Sequence, residues 1–255
     1  MENRNSKTVL VFDVWADYAH FRKFYTTTSP LTFSVPPRTA LCGLIGAISG
    51  LEKNENEYLK YFPLNIAHIG IRILNPIKKV MVAQNLIHTK PGIVKGPGMN
   101  LITQRTQINF EFLKLPKYRI YFAYSNDNSD LYPKLKQNLI EHKSVYTPVL
   151  GLSENIANFS FVGEFKAENS SSENYIQINT AVAMGQIIDD YGTNFNYDAE
   201  YYSERVPLEL TTERIVTKYD DILFERNGKP IEVKLKNEFY KINNKKETEN
   251  IVFLE

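Results

Sequence analysis

The most informative stretch of this sequence is TVLVFDVWADYAHFRKFYTTTSPLTFSVPPRTALCGLIGAISGL, residues 8–51. Its opening run, residues 9–15, is apolar, β-branched and aromatic, which is typical of a buried strand. A polar, aromatic and basic loop follows. Pro36 and Pro37 then predict the start of a helix, because proline lacks the N–H group that the first helical turn leaves unpaired.

The predicted helix carries apolar residues at helical spacing, from Leu41 to Leu51. Three glycines, Gly43, Gly46 and Gly50, lie three and four residues apart and so share one face. Each glycine costs a helix about 1 kcal/mol relative to alanine. We therefore expect a neighbouring backbone to approach this face closely and to offset that cost.

An anion site is predicted where the loop meets the helix. Arg38 and Thr39 stand in the first helical turn, where free N–H groups and the helix dipole favour an anion. The preceding loop adds cations for phosphates and aromatic rings for unpaired bases: Tyr18, His20, Arg22, Lys23 and Tyr25. Together these residues predict a phosphate-binding site.

Charge is distributed unevenly along the chain, although the net charge is only +1. Residues 1–120 contain 16 Lys/Arg and 7 Asp/Glu, whereas residues 121–255 contain 14 and 22. This split predicts a polyanionic partner on one face. The acidic half is either a solvated surface or a contact for a basic partner subunit.

Residues 77–113 are predicted to form a basic β-hairpin. The segments IKKVMVAQNLI and NLITQRTQINFEF are its arms, and a Gly- and Pro-rich segment between them has turn chemistry. Five cations are candidate phosphate contacts: Lys78, Lys79, Lys90, Lys95 and Arg105. The alternative is an ordinary solvated hairpin.

The order of predicted elements is strand, helix, strand, hairpin, strand, helix, strand. This is the βαββαβ order of an α+β, ferredoxin-like domain, here with the basic hairpin inserted. It covers residues 1–157, with TPVLGL (147–152) as its last strand. Residues 158–255 are predicted to be β-rich, with a hairpin turn at Asn227-Gly228. They form a second region or pack on the sheet of the first.

Three segments also carry a resemblance to a known family: VFDVWADYAHFRKF, TTTSPLTFSVPPRTAL and GLIGAISGL. In this order they resemble the N-terminal signature of the fifth family of CRISPR-associated proteins, the Cas5 subunits of type I Cascade surveillance complexes, closest to the I-B branch. The resemblance implies a ferredoxin-like (RRM-like) fold with a thumb-like hairpin at residues 77–113. It also implies a glycine loop against RNA at LGLSEN, which adds Gly151 and Ser153 as candidate contacts.

The function implied by the resemblance is that of a non-catalytic CRISPR RNA-binding subunit in antiviral defence. Such a subunit caps the 5′ handle of the CRISPR RNA and contacts the backbone and large subunits. Target DNA stays open as a further partner of the C-terminal half. The alternatives are a metal-independent endoribonuclease, using His20 with Tyr25 or His88 with Lys90, and a stand-alone RRM-like protein.

Other function classes find little support in the sequence. The four histidines are not at metal-ligand spacing, and no nucleotide-binding motif is present, so no metal or cofactor is expected. Cys42 is the only cysteine, which excludes an intrachain disulfide. No signal peptide or apolar span of about 18 residues is present. We expect a soluble cytoplasmic protein without membrane contacts.

Overall fold

The computed structural model describes residues 6–87, 105–125, 129–189, 191–244 and 247–255. It is a mixed α/β structure in which strands predominate. Within these ranges no helix is long and apolar enough to cross a membrane.

Six strands form the central sheet, and every neighbouring pair in it is antiparallel. In spatial order they are β15 (Thr248–Ile251), β14 (Phe239–Asn243), β7 (Asn158–Ser170), β1 (Ser6–Trp15), β6 (Lys117–Tyr124) and β3 (Ala67–Ile73). The run 9–12 of β1 is buried on both faces of the sheet. Its apolar composition explains this interior position.

Two helices cover one face of the sheet. They are α1 (Arg38–Ser49) and α2 (Leu131–Ile140). Leu10 and Phe12 of β1 share a core cluster with Ile45 of α1 and Leu135 of α2. Leu135 and Ile45 are fully buried, so the apolar stripes of both helices point into this core.

The C-terminal segment crosses the opposite face. Val9 and Val11 of β1 pack there in a cluster with Phe253. Gly70 of β3 lies directly beneath this segment, and a Cβ atom at that position would stand 2.9 Å from the carbonyl oxygen of Val252. Glycine is therefore needed in β3 because the crossing backbone approaches so closely.

The four strands and two helices of the N-terminal unit occur in the predicted order. The position predicted for the last strand, residues 147–152, is wrong. Residues 147–152 contribute only an isolated bridge between Val149 and Ile156. Gly151 has a φ of +93°, which is incompatible with an extended strand. The last strand is instead β7, and β14 and β15 continue the same sheet. The boundary predicted at residue 157 therefore does not separate two sheets.

Two smaller sheets complete the C-terminal half. One contains β10 (Thr193–Asn194), β13 (Ile231–Val233) and β8 (Ile176–Ile178), and the other contains β11 (Tyr201–Leu210), β12 (Val216–Glu225) and β9 (Val182–Ala183). The Asn227-Gly228 turn forms, with a φ of +78° at Gly228. The hairpin prediction there is wrong, because β12 and β13 pair with strands of different sheets.

The arms of the predicted basic hairpin do pair. β4 (Lys79–Ile87) and β5 (Arg105–Lys114) are antiparallel, in register from Lys79 opposite Leu113 to Ile87 opposite Arg105. β2 (Tyr18–Ala19) adds a third strand. The intervening residues 88–104, which include the predicted tip, lie outside the described residues. The polar segment 51–62 contains a 3₁₀ helix at Asn54–Tyr61.

Candidate nucleic-acid interface

The aromatic and basic loop occupies residues 20–34, between β2 and α1. A backbone hydrogen bond from Lys23 N to Leu31 O (2.8 Å) closes its base. At its tip, Phe24 and Tyr25 keep 58% and 61% of their surface exposed. Tyr25, which was predicted to stack on a base, is therefore accessible. Phe24 beside it is similarly accessible, but it was not among the residues predicted from the sequence.

The two cations of this loop differ in accessibility. Arg22 is exposed, and its Nη2 donates to the carbonyl oxygen of Thr26 at 2.9 Å. Lys23 is half-buried and forms an ion pair with Glu204 of β11 at 2.9 Å. Burial alone lowers the pKa of Lys23, but the hydrogen bond and charge of Glu204 outweigh burial and raise the pKa. Arg22 is thus the more accessible of the two cations.

His20 is buried, with 2% of its surface exposed. Its Nδ1 lies 2.7 Å from the carbonyl oxygen of Glu111, and its ring packs on Phe110 and Phe112 at centroid distances of 5.4 and 5.6 Å. Tyr18 contacts Phe112 edge-on at 6.0 Å and remains 41% exposed. The expectation that His20 contacts RNA is thus wrong for this conformation, because packing against β5 removes it from the surface.

Arg38 is also buried, with 1% of its surface exposed. Its guanidinium donates to the carbonyl oxygens of Leu208 (3.0 Å), Phe62 (3.0 Å) and Ala67 (2.6 Å). Helical side chains point back toward the helix N-terminus, which here is the protein interior. The predicted phosphate contact at Arg38 is therefore corrected to a structural one, whereas Thr39 is only half-buried.

The cations of the β4–β5 ribbon are described in part. Lys78 and Arg105 are exposed, at the two ends of the paired arms. Lys79 lies 3.3 Å from Glu111 and donates to the carbonyl oxygen of Thr32 at 2.9 Å, which ties the ribbon to the loop. The remaining candidates, Lys90 and Lys95, are outside the described residues, as is His88.

Gly151 lies against β2. The carbonyl oxygen of Leu150 accepts a hydrogen bond from His20 N at 3.1 Å. A Cβ atom at Gly151 would stand 1.8 Å from the carbonyl oxygen of His20. Gly151 therefore lets two backbone segments touch, while Ser153 is exposed and its Oγ donates to Glu154 at 3.2 Å.

The glycine face of α1 borders a groove of about 790 Å³. A Cβ atom added to Gly43 would meet nothing within 4 Å, and one added to Gly46 would make only ordinary contacts at 3.7 Å. The predicted close backbone approach at these two glycines is therefore wrong. Other residues that line the groove are Thr39, Tyr58, Tyr146, Gly151 and Arg214.

A second polar cluster escaped the sequence analysis, because its members are far apart in the chain. Lys7 Nζ lies 2.7 Å from His68 Nε2, and His68 Nδ1 is hydrogen-bonded to Glu255. Burial lowers the pKa of Lys7, although the charge of Glu255 opposes this. Burial alone raises the pKa of Glu255, but His68 and Lys7 outweigh it and lower the pKa. Within the described ranges no cluster of three or more potential ligands could hold a metal ion.

Comparison with known proteins gives a family match for the N-terminal part of the chain. Residues 9–95, which include most of β1, the loop, α1, β3 and β4, match the family model described as CRISPR-associated protein (Cas_Cas5). Over this third of the chain, the sequence is similar to the Cas5 family. No curated protein matches the sequence of this chain.

Solved structures similar to this chain include a CRISPR protein from Archaeoglobus fulgidus. That structure has 14% sequence identity and a TM-score of 0.52, over 97% of this chain and 100% of the other. A chain of a CRISPR RNA-guided surveillance complex has 11% identity and a TM-score of 0.49, over 88% and 90% of the two chains. The first similarity supports a shared fold.

Proposed function

We propose that this chain is a Cas5 protein, a non-catalytic CRISPR RNA-binding subunit of a type I Cascade complex, close to the I-B branch, and that it caps the 5′ handle. The family match over residues 9–95 carries this proposal. The same segment presents Arg22, Phe24 and Tyr25 to solvent on a loop with a fixed base. Exposed cations beside exposed aromatic rings suit the phosphates and unpaired bases of single-stranded RNA.

The architecture supports a finer assignment of the fold. The strands β7, β1, β6 and β3 are adjacent in that order, with α1 and α2 on one face, as in a ferredoxin-like (RRM-like) domain. The β4–β5 ribbon is inserted between β3 and β6 and takes the role of the thumb. A ribbon of this kind buries little of its own surface, so RNA or a neighbouring subunit is its expected contact.

The partners follow from the charge distribution. The basic first half faces the RNA handle, and the acidic residues 121–255 are suited to a basic backbone or large subunit. Target DNA stays open as a further partner of this second half. The complex acts in antiviral defence, with Cas5 at the 5′ end of its RNA.

Burial of His20 weighs against the endoribonuclease alternative. A general base must reach the proton that it abstracts, and His20 is covered by Phe110 and Phe112. The other candidate pair, His88 with Lys90, is outside the described residues. Incubation of the purified protein with repeat RNA in EDTA tests this point, and the RNA is expected to stay intact. Specific cleavage that His88→Ala abolishes would establish the nuclease instead.

Affinity purification from the native host tests the proposed function. Other Cascade subunits and short CRISPR RNAs are expected to co-purify with the tagged protein. Recovery of RNA without other subunits would indicate the stand-alone RRM-like alternative. Recovery of neither subunits nor CRISPR RNA would exclude the Cascade assignment.

A further inference from the structure

We infer that Phe24 and Tyr25, together with Tyr219 and Arg205 of the β11–β12 hairpin, form a stacking site for one unpaired nucleobase of single-stranded RNA. This inference rests on the proposed RNA-binding function and names a site for it. The site joins the basic first half to a hairpin from the acidic second half, and no sequence pattern predicts that this hairpin lies at the RNA.

The four side chains form a continuous row. The rings of Phe24 and Tyr25 meet edge to face, with centroids 5.3 Å apart and planes at 87°. Tyr219 follows on the other side of Phe24 at 5.5 Å. The guanidinium carbon of Arg205 lies 5.7 Å from the centroid of Tyr219 and extends the row with a cation.

The row is held in place before any ligand arrives. Lys23, next to Phe24, is tied to Glu204 of β11 by the ion pair at 2.9 Å. Tyr219 of β12 stands opposite Pro207 of β11 in the ladder. A site whose side chains are already positioned loses little entropy on binding, which favours affinity.

No contact among the described residues accounts for the exposure of Phe24. Burying a phenylalanine side chain stabilises a folded protein, yet this one leaves 58% of its surface in water beside a second exposed ring. Exposed neighbouring aromatic residues commonly mark binding sites. A ligand that covers these rings is the simplest explanation of their exposure.

The positive charges beside the rings indicate that this ligand is a nucleic acid. Arg22 and Arg205 flank the rings and are both exposed, Arg205 with 64% of its side chain accessible. Asp221 lies 3.7 Å from Arg205 and offsets part of its charge, whereas Arg22 bonds a backbone carbonyl. A base stacks on aromatic and guanidinium planes while its phosphates meet such cations, and no base-specific contact is needed.

The test measures binding of a fluorescently labelled oligouridine RNA to the full-length protein at several salt concentrations. Phe24→Ala is expected to weaken binding about 5- to 100-fold, as for the loss of one base–aromatic stack. The slope of log affinity against log salt should not change, because no charge is removed. Phe24→Trp, which keeps an aromatic plane, should retain the affinity of the wild type.

Phe195 provides a matched control. It is also 58% exposed and has an edge-on aromatic neighbour, Tyr201, at 5.0 Å. Phe195→Ala is expected to leave RNA affinity unchanged. In addition, 5-iodouridine placed in the RNA should photocrosslink to Phe24 or Tyr25.

The outcomes separate this inference from the proposed function. Wild-type binding that Phe24→Ala and Tyr25→Ala leave unchanged would overturn the stacking site alone. The same result, combined with loss of co-purifying subunits, would show that the row docks protein. If the wild type binds neither oligouridine nor repeat RNA, both proposals are overturned.

Discussion

At the scale of single residues, Arg38 illustrates a cation that serves the fold. The sequence places it in a first helical turn, where an exposed arginine suits a phosphate. The structure shows its guanidinium bound to the carbonyl oxygens of Leu208 in β11, of Phe62, and of Ala67 at the start of β3. These bonds join α1 to two distant parts of the chain, and no sequence pattern records them.

Replacement of Arg38 should therefore destabilise the protein. Arg38→Ala leaves the carbonyls of Leu208, Phe62 and Ala67 without this donor, and an unsatisfied buried acceptor costs about 1–3 kcal/mol. We expect the free energy of unfolding to fall by about 3 kcal/mol or more in urea denaturation. Arg22→Ala, at an exposed position, should stay within about 0.5 kcal/mol of the wild type. Equal stability of the two variants would contradict the structural role of Arg38.

At the scale of elements, the glycines of α1 have different roles. Gly50 is the C-cap residue and has a φ of +82°, in the left-handed region. A Cβ atom there would also stand 2.8 Å from Val145. Gly43 is an interior helical residue next to open space. Position 50 therefore requires glycine in the isolated protein, whereas position 43 does not.

Alanine at these two positions should change stability in opposite directions. Gly43→Ala is expected to raise the free energy of unfolding by about 1 kcal/mol, because alanine has the higher helix propensity and meets no neighbour. Gly50→Ala should lower it by about 1 kcal/mol or more, because of the positive φ. Chemical denaturation measures both. Destabilisation by Gly43→Ala would indicate a packing contact on that face.

The β4–β5 ribbon supports a prediction about its tip. The sequence predicts that Lys90 and Lys95, which lie outside the described residues, contact phosphate, and phosphate is the same for every base. Replacement of both Lys90 and Lys95 by alanine should therefore weaken binding of handle and scrambled RNA by similar factors. The slope of log affinity against log salt should become shallower by roughly 0.7 for each lost contact. An unchanged slope with failed complex assembly would assign the tip to a protein partner.

At the scale of the whole molecule, the C-terminal segment covers part of the sheet face opposite the two helices. It crosses β3 at Gly70 and ends in the hydrogen bond between Glu255 and His68. The lowered pKa of Glu255 means that this carboxylate stabilises the folded state above its ordinary pKa of 4.5. That contribution is lost as the pH falls through the pKa of the folded state.

Acid should therefore destabilise the folded wild type more than it destabilises a variant without this carboxylate. Between about pH 6 and pH 3, the free energy of unfolding of the wild type should fall further than that of Glu255→Gln, because only the wild type must protonate Glu255. Glu154→Gln, at an exposed position without an ion pair among the described residues, is the control. Parallel pH profiles for the wild type and Glu255→Gln would exclude the proposed linkage.

Local patterns in the sequence determined the elements. The β-branched run of β1, the proline start and apolar spacing of α1, and the paired arms of the ribbon were all predicted with nearly correct bounds. Each depends on residues close together in the chain, whose periodicity and turn chemistry can be recognised directly. The family resemblance also lies within one continuous segment, residues 9–95.

Tertiary structure alone decided which residues stay accessible and which strands are neighbours. Burial of His20 and Arg38 depends on β5 and β11, more than 80 residues away in the chain. The aromatic row brings Phe24 into contact with Tyr219, which is even more distant in the sequence. Strand β7 completes the sheet because it hydrogen-bonds to β1, whereas residues 147–152 turn at Gly151. Such long-range packing leaves no local periodicity, so only the three-dimensional structure reveals it.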